Sequence, residues 1–149
     1  MAIKIIIKNK RAFFDYFIKE KFEAGLVLQG TEVKSLRTGK VAINESHIII
    51  DNSQEAWICN MSIPQYEHGN RFNHQEDRRR KLLLHKKEIF YLQHQIKAGG
   101  MAIIPICIYF KKSQIKLEIA LAKGKKKYDK RQAQAQKDIE RKLRQGRYD

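Results

Sequence analysis

Two stretches near the end of the chain, MAIIPICIYF (Met101–Phe110) and SQIKLEIALA (Ser113–Ala122), decide the fold that we expect. The first has four isoleucines, the second has two isoleucines and two leucines, and only Lys111 and Lys112 separate them. Isoleucine is β-branched and favours the pleated, half-buried surface of a strand. The sequence therefore predicts two strands that are joined through this pair of lysines.

The preceding segments predict a helix and further strands. HKKEIFYLQHQIKAGG (85–100) has apolar residues at helical spacing and stops at Gly99–Gly100. VAINESHIIIDNSQEAWICNMSI (41–63) has β-branched and aromatic runs on either side of a hairpin at Asn52–Ser53. This order suits a mainly β fold, an OB-type Greek-key antiparallel barrel with two or three flanking helices.

The first forty residues predict two helices and a strand. NKRAFFDYFIKE predicts a helix that is capped by Asn9 and packs its aromatic face on the core. FEAGLVLQG predicts a strand that ends at Gly30. TEVKSLRTGK predicts a short helix with Thr31 as its cap and Gly39 as its stop.

Charge is the strongest compositional signal. The net charge is +15, from 31 Lys and Arg against 16 Asp and Glu. Eleven of these cations and four of the acids fall between Ala122 and Asp149. Because positive charge is concentrated at this end, we divide the chain into a barrel (1–122) and a basic tail (123–149). Basic proteins bind polyanions and RNA is the main polyanion of the cytosol, so we expect the barrel to bind RNA. The tail has too few apolar residues to bury, so we expect it to be disordered when free and helical on a polyanion.

Other classes of protein are disfavoured. The longest apolar run has ten residues, about half of a membrane-spanning helix, so we expect a cytoplasmic protein without a membrane partner. The chain has no Walker loop, no GxSxG or HExxH motif and no Cys–His set at zinc spacing, so we expect no enzyme activity, metal or cofactor. Cys59 and Cys107 are expected to be free, buried thiols.

A long polar loop, Pro64–Lys81, is the candidate RNA-contacting segment within the barrel. Its second half, RFNHQEDRRRK, mixes Phe72, Asn73 and His74 with several cations, a composition suited to phosphates and splayed bases. A solvated loop would have a similar composition. Within it, Glu76 and Asp77 adjoin three arginines, and local ion pairing explains them.

Three segments, taken together, resemble one protein family. They are EAGLVLQGTEVKSLRTGKV (Glu23–Val41), the run NHQEDRRRKLLLHKKEI (Asn73–Ile89) and AKGKKKYDKR (Ala122–Arg131), in order and with matching spacing. They resemble the SsrA-binding protein family, small protein B, the bacterial partners of transfer-messenger RNA (tmRNA).

The resemblance implies a function in ribosome rescue. Such proteins bind the tRNA-like domain of tmRNA with an OB-type barrel and stand in for the missing anticodon arm. The pair enters stalled ribosomes at the small-subunit decoding centre and the messenger channel, with elongation factor Tu acting indirectly through the aminoacylated RNA. Translation then resumes on the reading frame of the RNA, which is trans-translation.

The resemblance also implies site residues. The RNA-binding set, completed by the loop's polar residues and cations, is Glu23, Asn73, His74, Arg78, Arg80, Lys81, Leu83 and Lys116. The segment that meets the decoding site is Lys123, Gly124, Lys125, Lys126, Tyr128, Asp129, Lys130 and Arg131. In this set a lysine can meet a phosphate, whereas the acid is expected to accept from a base or a ribose.

Two alternatives remain open from the residues themselves. An OB-type ribosomal RNA-binding or assembly protein would explain the charge and the barrel, but it predicts no preference for a tRNA-like RNA. An RNA-modifying or RNA-cleaving enzyme would need a catalytic set that the motifs do not supply.

Overall fold

Residues 3–67 and 73–144, the part of the chain that the computed structural model describes, form seven strands and four helices. In chain order the elements are β1 (Ile3–Lys8), α1 (Ala12–Asp15), β2 (Tyr16–Leu26), α2 (Gly30–Arg37), β3 (His47–Ile50), β4 (Ala56–Cys59), β5 (Arg80–Leu83), α3 (Lys86–Lys97), β6 (Met101–Lys111), β7 (Gln114–Gly124) and α4 (Lys127–Arg144).

The strands close into a ring. The sheet order is β1-β6-β3-β4-β5-β2-β7, and an additional β6–β7 pairing joins its two sides. Six strands therefore form an antiparallel barrel, while β1 adds to the free half of β6. The barrel is filled by fully buried side chains, including Ile58, Ile108, Leu117 and Ile119, with Leu92 of α3 among them. The expected mainly β, OB-type architecture is confirmed.

The β6–β7 pair forms as expected. Lys111 pairs with Gln114, so Lys112 and Ser113 alone make the turn, with φ values of 51° and 66°. Two positive φ values in a two-residue loop define a type I′ turn, whose twist matches that of the strands. Neither residue is the Gly or Asn that such turns favour.

The predicted aromatic helix near the start is wrong. Only Ala12–Asp15 are helical, and Arg11 rather than Asn9 is the N-cap. From Tyr16 onward the chain pairs with β7, beginning opposite Gly124. The ladder with β7 runs along nearly the whole of β2, with one irregularity between Ile18 and Glu20, and this long-range pairing outweighs a helical apolar pattern. Consequently Phe13 and Phe17 do not pack on the core but are exposed.

The next boundaries also differ from expectation. β2 ends at Leu26, and α2 begins at Gly30 with Gln29, not Thr31, as its cap. Glu32 at the third helical position accepts a hydrogen bond from the Gln29 amide and completes a capping box. The predicted stop is confirmed, since Gly39 adopts φ +78° directly after the helix.

Two short strands, β1 and β5, were not predicted from the sequence. β1 was too short a run to interpret, and β5 begins inside the expected loop, where consecutive arginines hide the strand pattern. The hairpin between β3 and β4 and helix α3 are confirmed, the latter ending before Gly99 and Gly100 with φ values of 93° and 77°. Cys59 and Cys107 are free thiols, half-buried rather than buried.

The basic tail joins the barrel without a break. Lys123 and Gly124, which we counted with the tail, are the last residues of β7, and Lys127–Arg144 are helical in α4. The expectation that this segment orders only on a polyanion stays a prediction. None of the helices in the described ranges combines the length and apolar character needed to cross a membrane.

Candidate nucleic-acid interface

Three of the predicted RNA-binding residues meet around one glycine. Gly25 of β2 pairs with Leu83 of β5 on one side and with Lys116 of β7 on the other. Glu23 lies two residues earlier on β2 and therefore points to the same side of the sheet. These four residues, which we call the Gly25 face, line a shallow depression of about 320 Å³. Residues that are far apart in sequence are thus adjacent in space.

Gly25 has no side chain, and this allows Leu83 to lie close to the backbone of β2. A Cβ placed on Gly25 would lie 3.2 Å from the Leu83 Cβ and 3.4 Å from its Cδ1. That distance is tighter than ordinary van der Waals contact, so a larger residue would displace the leucine side chain. Leu83 is 55% exposed and lies across Gly25 from Lys116. The face thus offers an apolar contact and a cation side by side.

Glu23 is held as a carboxylate. It accepts a short hydrogen bond from the Tyr109 hydroxyl and lies 3.3 Å from Lys111 Nζ. The Tyr109 hydrogen bond, with help from Lys111 and Lys116 and against partial desolvation, lowers the pKa of Glu23. Burial and the same hydrogen bond raise the pKa of Tyr109. Glu23 therefore presents an ionised acceptor to a ligand's N–H or O–H donors at neutral pH.

Sequence analysis did not identify Tyr109 and Lys111 as partners of this carboxylate. The available signal was the register of the last two strands, which places Tyr109 directly opposite Lys116. With that register, any group beside Lys116 on the next strand is within reach of the tyrosine hydroxyl.

Arg80, by contrast, is buried completely, and its partner is Glu32 of α2. Its Nε donates to Glu32 Oε2 at 2.6 Å, and its Nη1 donates to the Met61 carbonyl at 2.6 Å. The remaining nitrogen donates to the carbonyls of Gln75 and Glu76. The guanidinium thus ties α2 to the loop and is enclosed in this structure, and the expectation that it contacts RNA stays a prediction.

Glu32 also forms an ion pair with a second arginine, Arg78. Arg78 Nη2 lies 2.5 Å from Glu32 Oε1, and the Arg78 side chain stays 29% exposed. Burial would raise the pKa of Glu32, but hydrogen bonds from Arg78, the Gln29 amide and Arg80 outweigh it and lower that pKa. We call Glu32, Arg78 and Arg80 the Glu32 brace. The close ion pairs of both arginines are thus with a helix more than forty residues away, and of the local acids expected to pair with them, Asp77 acts on Arg80 through its charge.

Asn73 and His74 hold the loop on itself. The Asn73 side chain accepts from the Tyr66 amide and donates to the Tyr66 carbonyl, which bridges the two arms of the loop. His74 is buried, donates from Nε2 to the Ile63 carbonyl at 2.8 Å and hydrogen-bonds the Thr31 hydroxyl through Nδ1. The His74 ring is therefore covered in this structure, and its contact with RNA stays a prediction. Phe72 lies outside the described residues.

Lys81 lies on the barrel wall and pairs with Glu55 at 2.7 Å, with both side chains about 40% exposed. Arg79 covers the Trp57 ring at 4.9 Å from its centroid. Both cations remain accessible, so this part of β5 extends the positive surface next to Leu83. The prediction that Lys81 contacts RNA stays a prediction.

The tail residues begin against the barrel. The Lys125 amide donates to the Asp15 carbonyl at 2.8 Å, and its ammonium donates to the Phe13 carbonyl and lies 5.0 Å from the Phe17 ring centroid. Lys126 and Arg131 are exposed. Tyr128, Asp129 and Lys130 belong to α4, but their side chains lie outside the described part. Within residues 3–67 and 73–144, no three His, Cys, Asp or Glu side chains cluster as a metal site requires.

A closed antiparallel barrel with strong positive charge and an exposed face of cation, acceptor and apolar side chain defines a nucleic-acid-binding barrel protein. The family model described as SmpB protein matches residues 6–147. The chain therefore belongs to the SmpB, or SsrA-binding protein, family.

Individual relatives agree with this placement. The SsrA-binding protein of Pelobacter propionicus is 54% identical, covering 97% of this chain and 95% of its own. That of Geotalea uraniireducens is 53% identical, covering 95% and 93%. A solved structure described as "tmRNA-SmpB: a journey to the center of the bacterial ribosome" superposes with a TM-score of 0.68 at 40% identity, over 85% of this chain and 92% of the other.

Proposed function

We propose that this protein binds the tRNA-like domain of tmRNA and delivers it to stalled ribosomes for trans-translation, with the barrel imitating the anticodon arm of a tRNA. The relatives are SsrA-binding proteins, and the structural neighbour concerns tmRNA, SmpB and the bacterial ribosome. The protein acts as an RNA-binding factor and not as an enzyme. Its place of work is the cytoplasm, where ribosomes are.

The Gly25 face is the observation that carries the proposal. It presents three different chemistries within one shallow surface, and none of the three side chains is needed to hold the core. Lys116 meets a phosphate, Glu23 accepts from a base or ribose donor, and Leu83 packs on an exposed base. A surface that bound RNA only through its phosphates would not include a carboxylate, which repels them. The face therefore favours an RNA whose shape brings a base or ribose donor to Glu23.

The Glu32 brace and the Asn73–His74 contacts serve this face indirectly. They fix the loop and β5, which carries Leu83, against α2 before RNA arrives. A surface held in its binding geometry loses little conformational entropy on association. We therefore assign Arg80 and His74 a positioning role, while Lys81 and the partly exposed Arg78 stay candidates for phosphate contact.

The tail acts after RNA binding. Lys123 and Gly124 end β7, and the segment from Lys125 to Arg131 leads away from the barrel into α4. In the decoding centre this segment follows ribosomal RNA, and the helix beyond it occupies a messenger channel that is empty only when the message has ended. Elongation factor Tu binds the aminoacylated end of the RNA rather than this chain.

A competition experiment tests the RNA preference. Fluorescence anisotropy would follow the labelled tRNA-like domain at fixed physiological salt, because phosphate-driven affinity falls steeply with salt. We expect binding to survive a hundredfold excess of bulk tRNA. Equal competition by bulk tRNA or by ribosomal RNA fragments would support a general ribosomal RNA-binding barrel instead.

A truncation separates the barrel from the tail. A chain that ends at Gly124 keeps the whole of β7 and its pairing with Tyr16. We expect its affinity for the tRNA-like domain to stay within about twofold, because the Gly25 face is intact. In a translation system programmed with a message that lacks a stop codon, this chain should add no tag, whereas the full chain tags. Tagging by the truncated chain would overturn the assignment of the tail.

A further inference from the structure

A second, larger groove lies beside the Gly25 face. It has a volume of about 740 Å³ and shares Glu23 with that face. Ile3 and Ile5 of β1 and Phe13 of α1 form part of its walls, and Cys107 is among the residues that line it. The three wall side chains are each about half exposed, which makes this an apolar patch that the fold leaves uncovered.

The groove follows from two local features of the chain. β1 pairs with the second half of β6, from Ile3 opposite Lys111 to Lys8 opposite Cys107, and its isoleucines extend past the barrel wall. Helix α1 is one turn long, so Phe13 turns outward while Ala12 packs inward. One side of the Phe13 ring carries Lys21 Nζ at 5.4 Å from the centroid. The arrangement combines an aromatic ring with a cation, as base-stacking sites do.

The groove is lined by exposed lysines and by a half-buried glutamate. Lys8, Lys10 and Lys21 line it and are exposed, while Glu118 is half-buried next to Cys107. In the described part of the chain, the Glu118 carboxylate accepts no closer hydrogen bond than a weak one from the Cys107 thiol at 4.0 Å. The carboxylate is thus available as an acceptor at a site whose accessible charge is mainly positive.

We propose that this groove takes one splayed-out base of the bound RNA, a base with an exocyclic amino group, while the lysines hold its phosphates. Phe13 and the isoleucines supply the apolar contact, and Glu118 accepts from the amino group. The inference rests on the proposed function and adds a second contact to it. Continuity through Glu23 places the groove within the same RNA footprint as the Gly25 face.

Charge complementarity selects the nucleotide over other occupants. The lysines repel a basic peptide, and an acidic peptide would meet two carboxylates, Glu23 and Glu118, in the same groove. A nucleotide has its anionic group at one end and its amino donor at the other, which fits cations and acceptor together.

Cys107 offers a direct probe of occupancy. In a Cys59→Ser protein it is the sole thiol of the chain, and its alkylation by iodoacetamide at pH 8.5 can be timed with and without the tRNA-like domain. Burial raises the pKa of Cys107, so the alkaline pH keeps the reaction measurable. We expect saturating RNA to slow alkylation at least tenfold. An unchanged rate at full RNA occupancy would overturn the proposal. Slowing that needs no RNA but rises with protein concentration would assign the groove to a second copy of the chain and overturn it too.

Two variants test the chemistry, each with a matched control. Phe13→Ala should weaken RNA binding roughly tenfold, as loss of a stacking partner does. Leu143→Ala on α4 removes a side chain that is equally exposed, 54% in both cases, and should leave the affinity unchanged. Equal affinities for the two variants would contradict a stacked base in the groove.

For the second variant, Glu118→Ala, we expect a change in RNA affinity opposite to the one that net charge alone predicts. Removing an acid near a polyanion strengthens binding by simple electrostatics, and we expect Glu45→Ala, an exposed acid outside the groove, to do so or change nothing. Glu118→Ala should instead weaken binding several-fold, because the amino group loses its acceptor. Tighter binding by Glu118→Ala overturns that contact. If these variants bind like wild type while bulk tRNA still fails to compete, the groove proposal fails and the proposed function stands.

Discussion

The Gly25 face and the Glu32 brace contain the same kinds of residue and yet behave in opposite ways. Each has a carboxylate in contact with cations. Sequence analysis assigned Glu23, Leu83 and Lys116 of the face to RNA, and it assigned the two arginines of the brace to RNA as well. Glu23 and Lys116 stay at the surface, whereas Glu32 and Arg80 are fully buried. The difference teaches that charge and residue type do not separate a contact residue from a positioning residue. Burial does, and burial depends on which elements pack together.

The energetics follow from this difference. A surface ion pair contributes about 0–1 kcal/mol, because water and salt screen it. A buried carboxylate that loses its arginine leaves an uncompensated charge, which costs several kcal/mol. Substitutions in the brace should therefore change stability, and substitutions in the face should change RNA affinity.

The largest effect is expected for Arg80→Met. Glu32 would stay buried with Arg78 and the Gln29 amide as its remaining partners, and the Met61 carbonyl would lose its donor. We expect the free energy of unfolding to fall by about 3–5 kcal/mol, as measured by urea denaturation. Arg79→Ala is the control, since Arg79 is exposed and covers Trp57, and it should change stability by less than about 1 kcal/mol. Equal losses from the two variants would contradict the contrast.

Lys116→Ala should have the next largest effect, and on a different observable. The loss of one phosphate contact should weaken binding of the tRNA-like domain roughly tenfold and make its salt dependence shallower by about one unit of slope. Unfolding should change by no more than about 0.5 kcal/mol. Lys40→Ala, an exposed lysine just after α2, serves as the control and should bind normally. An unaltered affinity for Lys116→Ala would remove this lysine from the interface.

Gly25→Ala should lower both the RNA affinity and the free energy of unfolding, each by a smaller amount than the variants above. The new methyl group meets Leu83, so the leucine must shift, and we expect a threefold to tenfold loss of RNA affinity with about 1 kcal/mol of destabilisation. Gly30→Ala is matched to it, because no atom lies within 4 Å of its Cβ position and its helical site favours alanine. Anisotropy and urea denaturation of both proteins measure the difference. Identical behaviour would mean that Leu83 does not need its present position.

The smallest effect concerns the contribution of Glu32 to stability, and it is expected only at acidic pH. The folded-state pKa of Glu32 is lowered from its ordinary value of 4.5, so its carboxylate contributes stability that is complete above that value. This contribution is lost as the pH falls through the folded-state pKa. Between pH 6 and pH 3, wild type should lose more stability than Glu32→Gln, which has no carboxylate to protonate. Parallel curves for the two proteins would show that the acid sensitivity arises elsewhere.

Much of the barrel was predictable because its determinants are local. The β6–β7 pair, the β3–β4 hairpin and helix α3 each have a clear period and a turn or stop signal within their own segment. The stretch around Phe13 and Phe17 misled, because its helical spacing competes with pairing to β7, a strand about a hundred residues away. β5 was missed for a related reason: its arginine faces inward to a helix that a strand pattern does not reveal.

The candidate site divides in the same way. The resemblance to the family supplied Glu23, Leu83 and Lys116, and the structure places them around one glycine. It did not indicate that Tyr109 and Lys111 hold the carboxylate, or that Glu32 takes both arginines. Those contacts join residues between about 46 and 88 positions apart, so only the register of the closed sheet and the docking of α2 bring them together.

By itself, the sequence determined the class of fold, the excess of positive charge and the family, because strand periods, net charge and motif spacing are properties of neighbouring residues. Only the tertiary structure decided which charged side chains are exposed to a ligand and which are enclosed as supports. Ring closure and the packing of α2 on the loop set that division. The free energy of a charge depends on the water and partners around it, and these come from distant parts of the chain.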